Sequence, residues 1–213
     1  MTPERLNADL DQRAIMHGAE LPWLASPLVG VERRLLYRVG AEQARATSLV
    51  RYAPGSHFSP HVHTGGEEFL VLEGVFEDEH GHYPRDSYVR NPPGSQHKPG
   101  ASQGCVIFVR LRQFHPEDRD QTVTRLQAQG TQLLFENAHE RVWLEHVQPQ
   151  APINQANPRG LELLVLEGKL VGSDFNLPAL SWMRLPPGSR LEARAGTQGA
   201  RVWFKDATLN LGT

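Results

Sequence analysis

The sequence predicts an all-β protein built from two tandem copies of one strand unit, and three observations carry that expectation. Short apolar runs of strand length, each bounded by Gly, Pro, Asn or Asp, dominate from about residue 33 onward. Helix-period patterning is weak, and its best instance is LNADLDQRAI near the start. Two stretches also recur at a constant offset of 94 residues. EEFLVLEG at 67–74 matches LELLVLEG at 161–168 at six of eight positions, and YVRNPPGS at 88–95 matches WMRLPPGS at 182–189 at five of eight.

Taken in order, residues 1–32 read as an N-terminal arm. The first copy then spans 33–118, with strands in RRLLYRV, ATSLVRY, EEFLVLEGVFED, DSYVRN and GCVIFVRL. HPEDRDQTVTRLQAQG, residues 115–130, is polar and charged, and reads as a linker or connecting strand between the copies. The second copy spans 119–213. Its VWLEHVQP stands in the place of SLVRYAPG, and its RVWFK in the place of VIFVR at an offset of 95, a slip of one residue.

Bulk composition narrows the function classes. Of 213 residues, 39% are hydrophobic and 22% charged, with a formal net charge of −2. Such a balance gives no electrostatic reason to expect nucleic acid or an anionic membrane as partner. No apolar run approaches the roughly 20 residues of a membrane helix, and the charged start lacks the apolar core of a signal peptide. The single cysteine, Cys105, excludes an internal disulfide and any CxxC metal site. A cytoplasmic globular protein is the expectation.

Histidine is unevenly spread: six of the ten fall between His57 and His97. Side chains two apart on a strand share a face, so His61 and His63 point the same way, and Glu67 keeps their parity unless Thr64-Gly65-Gly66 breaks the pleat. A strand returning after the PPG turn would bring His97 close. Imidazole and carboxylate together suit a borderline divalent metal such as zinc, iron, manganese or nickel.

The repeat acts as an internal control. His61 corresponds to Gln155, His63 to Asn157, Glu67 to Leu161 and His97 to Leu191, so all four candidate ligands are replaced together. Glu68 and Glu73, by contrast, are matched by Glu162 and Glu167 and read as structural. The expectation is one metal per chain, in the first copy, and a second copy packed solid as a structural partner. His57 shares the parity of His61 and is a candidate to orient a ligand or shuttle protons. His80 and His82 read as solvated turn residues. Cys105 reads as a buried structural cysteine that would be redox-sensitive only if it lined the pocket.

These residues resemble the cupin superfamily. Gly55, His61, His63, Glu67 and Gly74 fit the first cupin motif, G-x5-H-x-H-x3-E-x6-G, at every fixed position. Pro92, Gly94 and His97 fit the core of the second, G-x5-P-x-G-x2-H-x3-N, which departs only at Asp86 and Ala101. GGEEFLVLEGVFEDEHGHYPRDSYVRNPPGSQHKP followed by GC is similar, more narrowly, to the cupin domain of ChrR-type anti-sigma factors. The resemblance implies two double-stranded β-helix (jelly-roll) barrels and one metal held by His61, His63, Glu67 and His97. In ChrR-type proteins that metal is zinc; related cupins hold iron, manganese, nickel or copper. The His-x3-Cys-x2-Cys motif of the anti-sigma domain has no counterpart in these residues, so sigma-factor capture by that route is not expected, and a link to a sigma factor stays open.

Two functions stay open on these residues. One is a sensor cupin whose metal responds to a small molecule or to reactive oxygen. The alternative is a metal-dependent oxygenase acting on a dicarbonyl or similar chelating substrate, with the metal as Lewis acid. Zinc saturated by four ligands suits sensing or structure, whereas a six-coordinate metal leaves positions for substrate. A small molecule is the expected partner in both cases, and barrels of this type commonly pair through their sheets as homodimers.

Overall fold

The computed structural model describes residues 4–41 and 43–208, which form 21 strands and no helix. The chain divides into two compact units. One comprises Met1–Ala8 and Leu21–Arg125, the other Asp9–Glu20 and Leu126–Thr213. The stretch read as an N-terminal arm is therefore shared out. Ala14–His17 pairs with Ser181–Leu185 and supplies the last strand of the second unit, while Val31–Val39 begins the main sheet of the first.

Each unit is an antiparallel sheet curled round its own core. In the first, the order runs Arg5–Leu6, Val31–Val39, Arg45–Tyr52, Cys105–Leu111, Glu67–Asp78, Ser87–Asn91, with Thr122–Arg125 at the far edge. The second repeats it as Thr131–Glu136, Glu140–Val147, Arg190–Ala207, Leu161–Val171, Ser181–Leu185, with Ala14–His17 at the edge. Thr122–Arg125, from the stretch read as a join, thus closes the first sheet.

Strand register reproduces the repeat residue by residue. Glu67 pairs with Asn91 and Leu161 with Leu185, Phe76 pairs with Tyr83 and Leu170 with Leu177, and His61 pairs with His97 and Gln155 with Leu191. Gly74 and Gly168 hold equivalent left-handed turns (φ +70° and +73°). A Cβ on either would meet a carbonyl oxygen, Gly104 O or Gly199 O, at 2.2 Å, so only glycine fits. Where the second motif lacks its glycine, the turn survives. Asp86 (φ +70°) and its counterpart Leu180 (φ +63°) both adopt the left-handed conformation, donating their amides to Val71 O and Val165 O.

The apolar run FLVL is buried on both faces. Phe69 and Val71 join Val31, Val50, Ile107 and Val109 in the inner cluster, and Leu70, of opposite parity, is only 1% exposed. Each such side chain contributes about 1.5–3 kcal/mol by burial. Glu68 lies on the outward face with Leu70, where it accepts hydrogen bonds from Arg110 (2.7 Å) and Tyr88. Its counterpart Glu162 accepts one from Trp182 Nε1 (2.7 Å). Glu73 is exposed.

Candidate metal centre

Two short strands bring the first pair of histidines together. His61–Val62 pairs with Gln96–His97, with His61 directly opposite His97. The chain then turns at His63, whose carbonyl accepts the amides of Gly94 (2.9 Å) and Gly66 (3.3 Å), while its own amide donates to Ser95 O (2.9 Å). Thr64-Gly65-Gly66 does break the pleat: the strand stops at Val62 and a new one starts at Glu67. Gly66 is left-handed (φ +79°) and sits against the Phe114 ring, where a Cβ would be 2.4 Å from a ring carbon. The parity argument for Glu67 thus fails locally, yet the tight turn delivers its carboxylate to the same place.

The three imidazoles form a triangle, with ring centroids 4.8 Å apart for His61 and His63, 5.1 Å for His61 and His97, and 4.6 Å for His63 and His97. One nitrogen from each lies within 4.8 Å of the others. Glu67 Oε2 stands 3.4 Å from His63 Nε2 and 3.5 Å from His97 Nε2. His61 Nδ1 faces Ser59 O at 3.3 Å, which leaves its Nε2 for the cluster. All four expected ligands are brought together.

The donor set fits a metal ion. Nε2 of His63 and both ring nitrogens of His97 are buried without hydrogen-bond partners. Buried unpaired nitrogens are costly, and a cation between them would satisfy those aimed at it. Burial, then the neighbouring His97 and His61 and the Arg112 guanidinium, hold the His63 pKa down at about 3. Its imidazole is therefore neutral and ready to donate. Burial pushes the Glu67 carboxyl up to about 7, opposed by a hydrogen bond from Asn91 Nδ2 (3.4 Å) and reinforced by Asp78.

The second unit keeps the loop and changes the chemistry. Gly188 donates to Asn157 O at 2.8 Å, as Gly94 does to His63 O. The Asn157 side chain turns onto backbone, donating to Pro186 O (2.7 Å) and accepting from Gly160 N (2.8 Å). Leu161 and Leu191, each 1% exposed, fill the remaining positions as members of an apolar cluster.

His61, His63 and Glu67 form part of the wall of a cavity of about 770 Å³ in the first unit, together with Tyr52, Phe58 and Leu111. His57 lines it too, on a short strand paired with Gly100–Ala101. Among the described residues, His57 makes no hydrogen bond to the four. The carboxylate that approaches a ligand candidate is that of Asp78, 3.4 Å from His97 Nδ1. Sequence reading passed over Asp78, although its counterpart, Gly172, changes together with the ligands. Cys105 is buried, and burial, with Glu77 nearby, raises its thiol to about 12. His80 and His82 are exposed.

Residues 11–115 match the family model of the ChrR cupin-like domain. No curated protein matches the sequence. Among solved structures, similar folds include YlbA from Escherichia coli (15% identity, TM-score 0.73, covering 93% of this chain and 92% of that one). The E. coli pirin YhhW, solved in complex with nickel(II), aligns with TM-score 0.70 at 12% identity, covering 92% of this chain and 100% of that one. A deletion mutant of Bacillus subtilis oxalate decarboxylase OxdC aligns with TM-score 0.64 at 11% identity, covering 92% of this chain and 77% of that one.

Proposed function

Since the chain belongs to the cupin superfamily, with a ChrR cupin-like domain over residues 11–115, we propose that it is a single-metal cupin acting on a small molecule. His61, His63, His97 and Glu67 would hold one divalent transition metal, and the small molecule would reach it through the cavity of the first unit. The observation that carries this reading is that His61, His63 and Glu67 stand in the wall of that cavity rather than in a sealed core.

When bound, the metal would supply a Lewis acid for a chelating substrate such as a dicarbonyl. The chain's own residues divide the remaining work. Burial lowers the pKa of His63 and of His97; His61 is oriented by Ser59 O, and His97 has Asp78 beside its outer nitrogen. Tyr52 and Phe58, packed edge to face at 5.5 Å between centroids, form an apolar wall that limits water.

Thiol-based oxidant sensing is the less supported alternative, because a buried thiol with a raised pKa is a poor nucleophile toward oxidants. The metal suggested by the ChrR resemblance is zinc; an open cavity suits a six-coordinate ion equally. Elemental analysis of the purified protein beside His97→Ala tests the reading. We expect about one metal per chain in the parent and none in the variant. A parent that takes up no metal from zinc, iron, manganese or nickel would sink the proposal. Turnover of a dicarbonyl with oxygen uptake would then separate enzyme from sensor.

A further inference from the structure

We propose that the cavity beside the histidines takes an organic carboxylate, its charged end paired with the guanidinium groups of Arg33 and Arg112 and its apolar body against the barrel wall. This deepens the reading above and rests on it for the metal, not for the arginines.

Arg33 is out of place for a surface arginine. It follows Val31 at strand parity and pairs with Val50, and both valines belong to the inner apolar cluster. Its neighbours Glu32 and Arg34 face the other way. Glu32 takes the Arg51 guanidinium at 2.5 Å, and Arg34 stacks over the Trp23 ring at 4.3 Å. Arg33 alone points inward, half-buried, and it lines the cavity.

Arg112 stands at the end of the strand Cys105–Leu111, where Leu111 is in register with Glu67. Its backbone is held in the left-handed region (φ +58°), a conformation that costs a non-glycine residue free energy. Its amide donates to Gly66 O at 2.9 Å, and its side chain lies over Gly65, where a Cβ would meet Arg112 Cα and Cβ at 2.8 Å. The chain thus accepts a strained residue and an obligate glycine to lay an arginine across the turn that joins His63 to Glu67.

Among the described residues, neither guanidinium has a hydrogen-bond or ion-pair partner. A partly buried cation without a counter-ion is unfavourable unless something supplies the charge. The repeat again serves as control. The Arg33 position, one strand from Val50, falls on Thr131, one strand from Glu145; the position after Leu111, in register with Glu67, falls on Ala207, after Asp206, in register with Leu161. Both arginines are lost along with all four ligand candidates, as expected if cations and metal serve one ligand. A divalent ion beside one carboxylate leaves net positive charge, and two guanidinium forks lining the same cavity favour an anion, with carboxylate as a bidentate match.

Size and lining describe the rest of the ligand. About 770 Å³ exceeds what a one- or two-carbon acid fills, and Val31, Val50, Phe58 and Val109 line it. Leu28 (58% exposed) and Val29 (95% exposed) stand at its rim. That composition suits an alkyl or aryl body.

The test is calorimetric titration of the full chain, with and without bound nickel, against hexanoate, hexanamide and hexyl phosphate. Hexanoate should bind at least about tenfold more tightly than hexanamide, and Arg33→Met and Arg112→Met should each remove about tenfold of that affinity. Both variants should leave metal content and hexanamide binding unchanged, and Arg33→Lys should recover part of the loss. Equal affinity for hexanoate and hexanamide, or Met variants that bind hexanoate like the parent, overturns the proposal. Hexyl phosphate binding in place of hexanoate overturns the carboxylate assignment. Arginine-dependent hexanoate binding to a protein that takes up no metal would uphold this inference while removing the metal reading.

Discussion

Asp78 Oδ2 lies 3.4 Å from His97 Nδ1, while Oδ1 of the same carboxylate accepts hydrogen bonds from Tyr83 Oη (3.1 Å) and from the amides of His80 (2.8 Å) and Gly81 (3.1 Å). The carboxylate is thus pinned on one side and offered to the imidazole on the other. In the second unit the three positions read Gly172, Leu177 and Leu191, so anchor, carboxylate and histidine disappear together. Outer carboxylates of this kind orient a ligand histidine and raise its basicity.

Asp78→Asn should therefore weaken metal affinity by about 10–100-fold with His97 still in place. Competition against a chromophoric chelator measures it. An Asn variant that binds as tightly as the parent would leave Asp78 a turn-forming residue only.

Glu67 sets a pH dependence with a defined sign. Its carboxyl is raised from an ordinary 4.5 to about 7 in the metal-free fold, so its contribution to metal-free stability is complete below about 4.5 and lost as pH rises through about 7. The loss is up to about 3 kcal/mol. Metal must displace that proton, so affinity should climb with pH to about 7 and then flatten as regards this group. Glu67→Gln should abolish both slopes. Chemical denaturation of metal-free protein across the interval from 4.5 to about 7, with points on both sides of it, reads the first.

His97→Leu installs the residue that the second unit carries at Leu191. It removes the buried, unbonded Nε2 and the Nδ1 that faces Asp78 Oδ2 at 3.4 Å. Combined with Asp78→Asn, so that no buried carboxylate is stranded, the metal-free variant should gain about 1–3 kcal/mol over metal-free Asp78→Asn while losing metal uptake. A destabilised variant would mean that the cluster's polar cost is already met by water.

Glu68, next in the chain to Glu67 but on the opposite face, tests the division of labour. Its ion pair with Arg110 at 2.7 Å is almost fully buried, so Glu68→Ala strands a guanidinium and should cost about 3–5 kcal/mol. Metal stoichiometry should not change in the folded fraction. Loss of metal at a temperature where the variant is folded would contradict a purely structural role.

The sequence by itself determined the strands, the doubling and the candidate ligands. Runs such as FLVL and VIFV are legible because burial imposes composition locally, and the motif from Gly55 to Gly74 is legible because one tight turn sets its spacing. The repeat added a comparison that marked Glu67 apart from Glu68; strand register agrees with it at the candidate ligands, and sets VWLEHVQP one residue out of step with SLVRYAPG, Val50 matching Glu145 rather than Leu144. What lay beyond the sequence depends on which distant strands meet. Ala14–His17 belongs to the second unit because its free edge completes the sheet beside Ser181–Leu185. Asp78 finds His97 because the end of one strand curls back against a short ladder formed by another. Arg33 and Arg112 reach one cavity from different strands, and nothing in their local composition marks either. Strand periodicity tells which face a side chain takes; only closure of the sheet decides what stands across from it.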